Sequence, residues 1–157
     1  MYSFFSGEFL TPLWTGPDPT GTIFTSSRTP AQVTIRPDHL HDANLPTDQR
    51  STTNWFDVSA FGAPAAGRFG TSAKGVIHGP GSQIVSVGLA KNFSLGERAR
   101  LRLEITGTNF FNTPNYTNPG VNISQLGSVG VITDAGGELD LDAAGPRAFR
   151  TGLRLEW

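Results

Sequence analysis

Three stretches of the chain alternate apolar and polar residues with a period of two. In the first, Val85, Val87, Leu89, Phe93 and Leu95 occupy odd positions, and Ser86, Gly88, Ala90, Asn92 and Ser94 occupy even ones. In the second, Ala99, Leu101, Leu103 and Ile105 alternate with Arg98, Arg100, Arg102, Glu104, Thr106 and Thr108. The last stretch places Phe149, Leu153, Leu155 and Trp157 on one face, with Ala148, Arg150, Gly152, Arg154 and Glu156 on the other. Successive side chains of a strand point to opposite sides, so each stretch predicts a strand with one apolar and one polar face. A weaker strand is predicted within residues 1–14, where Phe5, Phe9 and Leu13 recur but Gly7 and Pro12 interrupt.

The connections are unequal. "SLGERA" joins the first two strong strands as a tight turn, with Gly96 free to take a positive φ, so residues 83–110 read as a hairpin. Residues 15–82 are rich in Gly, Pro, Asn, Asp and Ser without a sustained period, and a stretch of that length predicts a functional surface loop. Residues 111–145 form a shorter loop of the same character, and residues 146–157 form the terminal strand. Short turns on one side and long loops on the other are the asymmetry of transmembrane barrels, with turns in the periplasm and loops outside. Each of the strong strands reads as about 11 to 13 residues, slightly more than the roughly 9–11 that cross a bilayer at a tilt. Phe93, Phe110, Phe111, Tyr116 and Trp157 fall near strand ends, where an interfacial girdle would sit. A soluble antiparallel sheet with one face on a core alternates equally well, so the pattern alone leaves both architectures open.

Composition narrows the chemistry. The 157 residues carry a net charge of −1, and charged residues make up 16% against roughly 25% in soluble domains. No basic or acidic excess points to nucleic acid. The chain has no cysteine, which removes disulfides, thiol catalysis and thiolate metal sites. Nineteen glycines and eleven prolines argue against long helices. No apolar run reaches a membrane helix, and the N-terminus lacks the basic and continuous apolar regions of a signal peptide.

"DHLHD", Asp38 to Asp42, contains imidazoles and carboxylates that suit divalent ions, but histidines at i, i+2 in a Gly/Pro-rich stretch read as solvated loop residues. His78 is isolated and supports no nucleophile–base arrangement. "GPGS" lacks the lysine and following helix of a phosphate-binding loop. The residues therefore predict no catalytic, cofactor or metal site.

Four segments come in a recognisable order: "RPDHLHDANLPTDQRSTTNWFDVSAF", "GRFGTSAKGVIHGPG", "VGLAKNFSLGERARLRLEITGTNFFNTPNYTNPG" and "GPRAFRTGLRLEW". Together they resemble the C-terminal part of TonB-dependent outer-membrane receptors of the Oar-like type, which carry an N-terminal carboxypeptidase-regulatory-like domain. The resemblance implies an all-β fold, with antiparallel strands forming the C-terminal part of a transmembrane β-barrel and long extracellular loops. It departs from the family in ending on tryptophan rather than phenylalanine. Family members also carry a plug, a TonB-contacting box and a barrel of roughly 22 strands. The chain thus reads as a fragment, because three or four strands cannot close a barrel.

On this reading the hairpin turn is periplasmic, loop 111–145 is extracellular and the last strand ends at the periplasmic face. Val85, Val87, Leu89, Leu101, Leu103, Ile105, Leu153 and Leu155 would face lipid. Arg100, Arg102, Glu104, Arg150, Arg154 and Glu156 would face the lumen, either contacting the plug and biasing solute passage or pairing with one another across strands. The resemblance makes Phe149, Leu153, Leu155 and Trp157 the signal that the barrel-assembly machinery reads. Implied partners are outer-membrane lipid, the rest of the barrel and plug, and the TonB complex. The implied place is the outer membrane of a Gram-negative-type cell, and the implied role is energy-coupled uptake of a large or scarce solute. The alternative is a secreted β-rich binding or adhesion module with Val85, Leu101, Leu103 and Leu153 buried in protein. A hydrolase would need reactive groups converging in a cleft.

Overall fold

The computed structural model describes residues 1–24, 28–136 and 145–157. They form strands β1 (Tyr2–Phe5), β2 (Phe9–Leu10), β3 (Trp14–Pro17), β4 (Gln32–Ile35), β5 (Asp38–His39), β6 (Phe61–Gly62), β7 (Ile77–His78), β8 (Ser82–Val85), β9 (Val87–Leu95), β10 (Ala99–Thr108) and β11 (Ala148–Glu156). Two short 3-10 turns, Thr47–Gln49 and Val58–Ala60, are the helical elements among the described residues. Every strand pair is antiparallel, so the chain is all-β. It divides into two compact units.

The first unit comprises Met1–Ser6, Gly81–Thr117 and Asp134–Trp157. Its main feature is an open three-stranded sheet in the order β11-β10-β9. Leu95 pairs with Ala99 across the hairpin, and Gly96 takes φ 80°, a backbone that a side chain would strain. β10 stops at Thr108, short of the expected 110, because Asn109 turns to φ 45°. Asparagine tolerates that region, and here its side chain is tied down. The Asn109 amide nitrogen donates to the carbonyls of Thr113 (2.9 Å) and Gly145 (2.8 Å), and its oxygen accepts from Thr113 N–H (3.0 Å).

The alternating run that begins at residue 83 changes partners at Ser86. β8 pairs with β1, aligning Tyr2 with Val85, while β9 pairs with β10. Ser86 N–H donates to the Met1 carbonyl (2.9 Å), and the Met1 amino group donates to the Ser86 carbonyl (2.7 Å). On the other side, Phe110 N–H reaches the Val85 carbonyl (2.8 Å) just past the Asn109 turn. Val85 therefore belongs to a different ladder from Val87 and Leu89.

The second unit comprises Gly7–Pro80 and Asn118–Thr133. The aperiodic stretch 15–82, expected as an extended surface loop, supplies most of it. Short ladders β3–β4, β5–β6 and β2–β7 frame a core of Ala43, Phe56, Ala60, Phe61, Ile77, Ile123 and Val129. Strands of two to four residues are too short to leave a period, and the core residues arrive singly from separate segments. Buried polar groups complete the packing. The Asp18 carboxylate accepts from the N–H groups of Thr20 (3.0 Å), Thr22 (2.9 Å) and Ile23 (2.8 Å) and from the Thr20 hydroxyl (2.7 Å). These bonds fold residues 18–23 around one side chain, as aspartate does in turns.

Candidate functional site

The β9–β10–β11 sheet sorts its residues by face. Across β10 and β11, Arg100 lies opposite Glu156, Arg102 opposite Arg154, Glu104 opposite Gly152 and Thr106 opposite Arg150. The other face aligns Leu101 with Leu155 and Leu103 with Leu153, and it continues onto β9 through Phe93 opposite Leu101 and Leu89 opposite Ile105. The six charged candidates therefore share one face. Val87, Leu89, Leu101, Leu103, Ile105, Leu153 and Leu155 share the opposite one, while Val85 stands apart on β8.

The ion pairs on the polar face run along strands rather than between them. Arg102 pairs with Glu104, and Arg154 Nε lies 3.0 Å from Glu156 Oε1. Arg102 directly faces Arg154, a like charge, so each turns to the carboxylate two residues further along its own strand. All four side chains are about half exposed or more, and such pairs contribute roughly 0–1 kcal/mol. Four arginines against two glutamates leave this face positive.

The apolar face carries one charge among the described residues. Lys91 sits mid-strand opposite Leu103. Sequence reasoning passed over it, although its odd position in the run was visible.

Aromatic residues gather at both ends of the sheet. At one end the Phe149 ring lies over Gly107, where an added Cβ would come within 2.9 Å of it. Phe149 meets Phe110 edge-to-face at 6.1 Å, Phe110 meets Phe111 at 5.5 Å, and the Arg147 guanidinium stands 5.9 Å from the Phe149 ring centre. At the other end Phe93 and Trp157 are exposed, Trp157 by 92%.

In the second unit, "DHLHD" is dispersed among separate partners. Asp38 accepts from Arg68 Nη1 (2.6 Å) and Nη2 (2.8 Å) and from the N–H groups of Thr71 (3.1 Å) and Ala65 (3.3 Å). His39 stacks on Phe61 at 5.2 Å. His41 Nε2 lies 3.0 Å from Asp57, whose other oxygen accepts from the Ser59 hydroxyl (2.7 Å) and caps the turn Val58–Ala60. Asp42 accepts from Asn44 N–H (3.0 Å). No group of three or more metal-ligating side chains exists among the described residues. Arg68 was missed as a partner because thirty positions separate it from Asp38.

Four carboxyls of this unit are held below the ordinary aspartate value. The causes are the Thr20 hydroxyl at Asp18, the Arg68 guanidinium at Asp38, the Asn44 backbone N–H at Asp42, and the Ser59 hydroxyl followed by His41 at Asp57. The unfolded chain then binds protons more readily than the folded one as pH falls below about 4. Their stabilisation is complete above that pH and is lost as pH drops through the lowered folded values. The urea midpoint read from tryptophan near-ultraviolet circular dichroism is expected to be lower at pH 3 than at pH 7. An unchanged midpoint would contradict this assignment, and Asp38→Asn should weaken the dependence.

Comparison with protein families returns a match to the model described as an outer membrane beta barrel domain, over residues 1–149. Comparison with curated proteins and with solved structures returned no match.

Proposed function

The chain belongs to the outer membrane β-barrel domain family and resides in the outer membrane, and from that premise we propose that it forms wall and outer loops of a TonB-dependent receptor of the Oar-like type. Outer-membrane residence replaces the alternative of a secreted binding module. The observation that carries the receptor reading is the ordered set of four resembling segments, ending in "GPRAFRTGLRLEW". The sheet geometry supports it. Ten residues of β10 at about 3.3 Å each, tilted by about 40–45°, span about 24 Å, close to the ~25 Å apolar band of such barrels. Aromatic residues at both ends suit the two interfaces.

In this role the apolar face meets lipid and the positive face lines the lumen, where it contacts a plug. The second unit, outside, helps to capture a large or scarce solute for energy-coupled uptake. The partners required are the remainder of the barrel, the plug, the TonB complex and the barrel-assembly machinery reading Phe149, Leu153, Leu155 and Trp157. No step of this role calls for catalysis.

A photocrosslinking residue placed at Arg154, and separately at Leu153, in outer membranes of the native host tests the reading. Position 154 is expected to capture a plug peptide and position 153 lipid. Lipid adducts at 154, or no plug peptide there, would overturn it.

A further inference from the structure

We propose that a cavity in the second unit binds a small carboxylate carried on a flat apolar body, the class to which benzoate belongs. This names a solute class for the capturing surface and rests on that reading of the second unit. The cavity has a volume of about 330 Å³ and is lined by Leu13, Thr34, Ile35, Arg36, Phe69 and Gly70. That is the lower end of the roughly 300–1,000 Å³ of small-molecule sites.

The lining divides its chemistry clearly. Leu13, Ile35 and the exposed Phe69 ring supply apolar walls. Thr34 is already hydrogen-bonded through its hydroxyl to Thr15 (3.0 Å). Arg36 is the one ionisable lining residue, and among the described residues its side chain has no hydrogen-bond or ion-pair partner. Arg68, by contrast, is fully engaged by Asp38. A guanidinium matches a carboxylate as a bidentate fork, and the match strengthens as a ligand excludes water. A flat apolar body suits the face of Phe69.

The backbone around the cavity is built rather than loose. Asp38 joins the two lining segments by accepting from Arg68 and from Thr71 N–H. His39 N–H donates to the Thr71 hydroxyl (3.0 Å), and Ser72 N–H donates to the Pro37 carbonyl (3.0 Å). Between them Gly70 packs so closely that a Cβ would run into the carbonyls of Arg36 and Pro37. Residues 36–39 and 68–72 are thereby stitched side by side, and Arg36 and Phe69 are delivered to one cavity from fixed backbone.

Calorimetric titration of the whole 157-residue chain in detergent micelles, with benzoate, benzyl alcohol and acetate as probes, tests the proposal. Benzoate is expected to bind roughly tenfold or more tightly than either control, since it alone satisfies both the guanidinium and the apolar wall. Arg36→Gln should abolish that advantage over benzyl alcohol, Arg36→Lys should retain part of it, and Phe69→Ala should weaken benzoate without affecting acetate. Benzyl alcohol or acetate binding as tightly as benzoate would overturn the proposal, as would unchanged benzoate affinity in a folded Arg36→Gln variant. If Arg36→Gln does not fold, the comparison of the three probes on the unaltered chain decides alone. Failure here leaves the plug crosslink from position 154 standing, so the two readings fail separately.

Discussion

Truncating Phe56 to alanine is expected to destabilise the second unit by about 3–5 kcal/mol, the range for emptying a buried aromatic site. Phe56 is 1% exposed and packs edge-to-face on Phe61 at 6.2 Å. The backbone on either side of it is pinned. Trp55 N–H donates to the Gly130 carbonyl and Asp57 N–H to the Ala43 carbonyl, both at 2.9 Å. The walls therefore cannot close over the space that the ring leaves, and little of the cavity cost is recovered. Folded domains are stable by only about 5–15 kcal/mol, so this one change removes a large share. Urea denaturation followed by tryptophan near-ultraviolet circular dichroism measures it. A loss below about 1 kcal/mol would mean that the hydrogen-bonded turns, and not this core, hold the unit together.

Leu103→Arg is expected to oppose insertion of the sheet by about 2–4 kcal/mol, the cost of a cationic side chain on a barrel's lipid face at mid-depth. Leu103 lies in the middle of β10, flanked by Leu153 on β11 and Lys91 on β9. A second cation would therefore stand directly opposite Lys91 and add like-charge repulsion. The neighbouring change Arg102→Leu alters the polar face and should cost less than about 1 kcal/mol, since its ion pair with Glu104 is half exposed. Urea titration of folding into lipid vesicles, on the complete barrel that carries this chain, compares the two variants. A larger loss for Arg102→Leu than for Leu103→Arg would reverse the assignment of the faces.

The parts that were legible in the sequence are those where one rule repeats long enough to be seen. Nine- and ten-residue strands with a sustained alternation, broken at Lys91 and Thr151, announced β9, β10 and β11, and Gly96 marked the turn between β9 and β10. The same parity hid the change of partner at Ser86, because Val85 and Val87 both fall at odd positions while their ladders differ. Parity says which way a side chain points and nothing about the neighbour it joins. The second unit was illegible for a different reason. Its contacts link Asp38 to Arg68, Leu13 to Val121 and Trp55 to Gly130, pairs too distant in sequence for any local pattern to connect. The Arg36–Phe69 cavity depends on that stitching and was equally invisible.

Lys91 has a consequence beyond the bilayer. Within this sheet β9 presents an outer edge with unpaired backbone groups along a strand whose one face is apolar apart from Lys91, the kind of edge on which copies of a chain add to one another and aggregate. A charge in the middle of such a strand is a gatekeeper: each added copy would bring its own lysine alongside the last. On the proposed lipid-facing arrangement, the residue that would fit the membrane least is thus the one that disfavours addition of further copies at this edge in water.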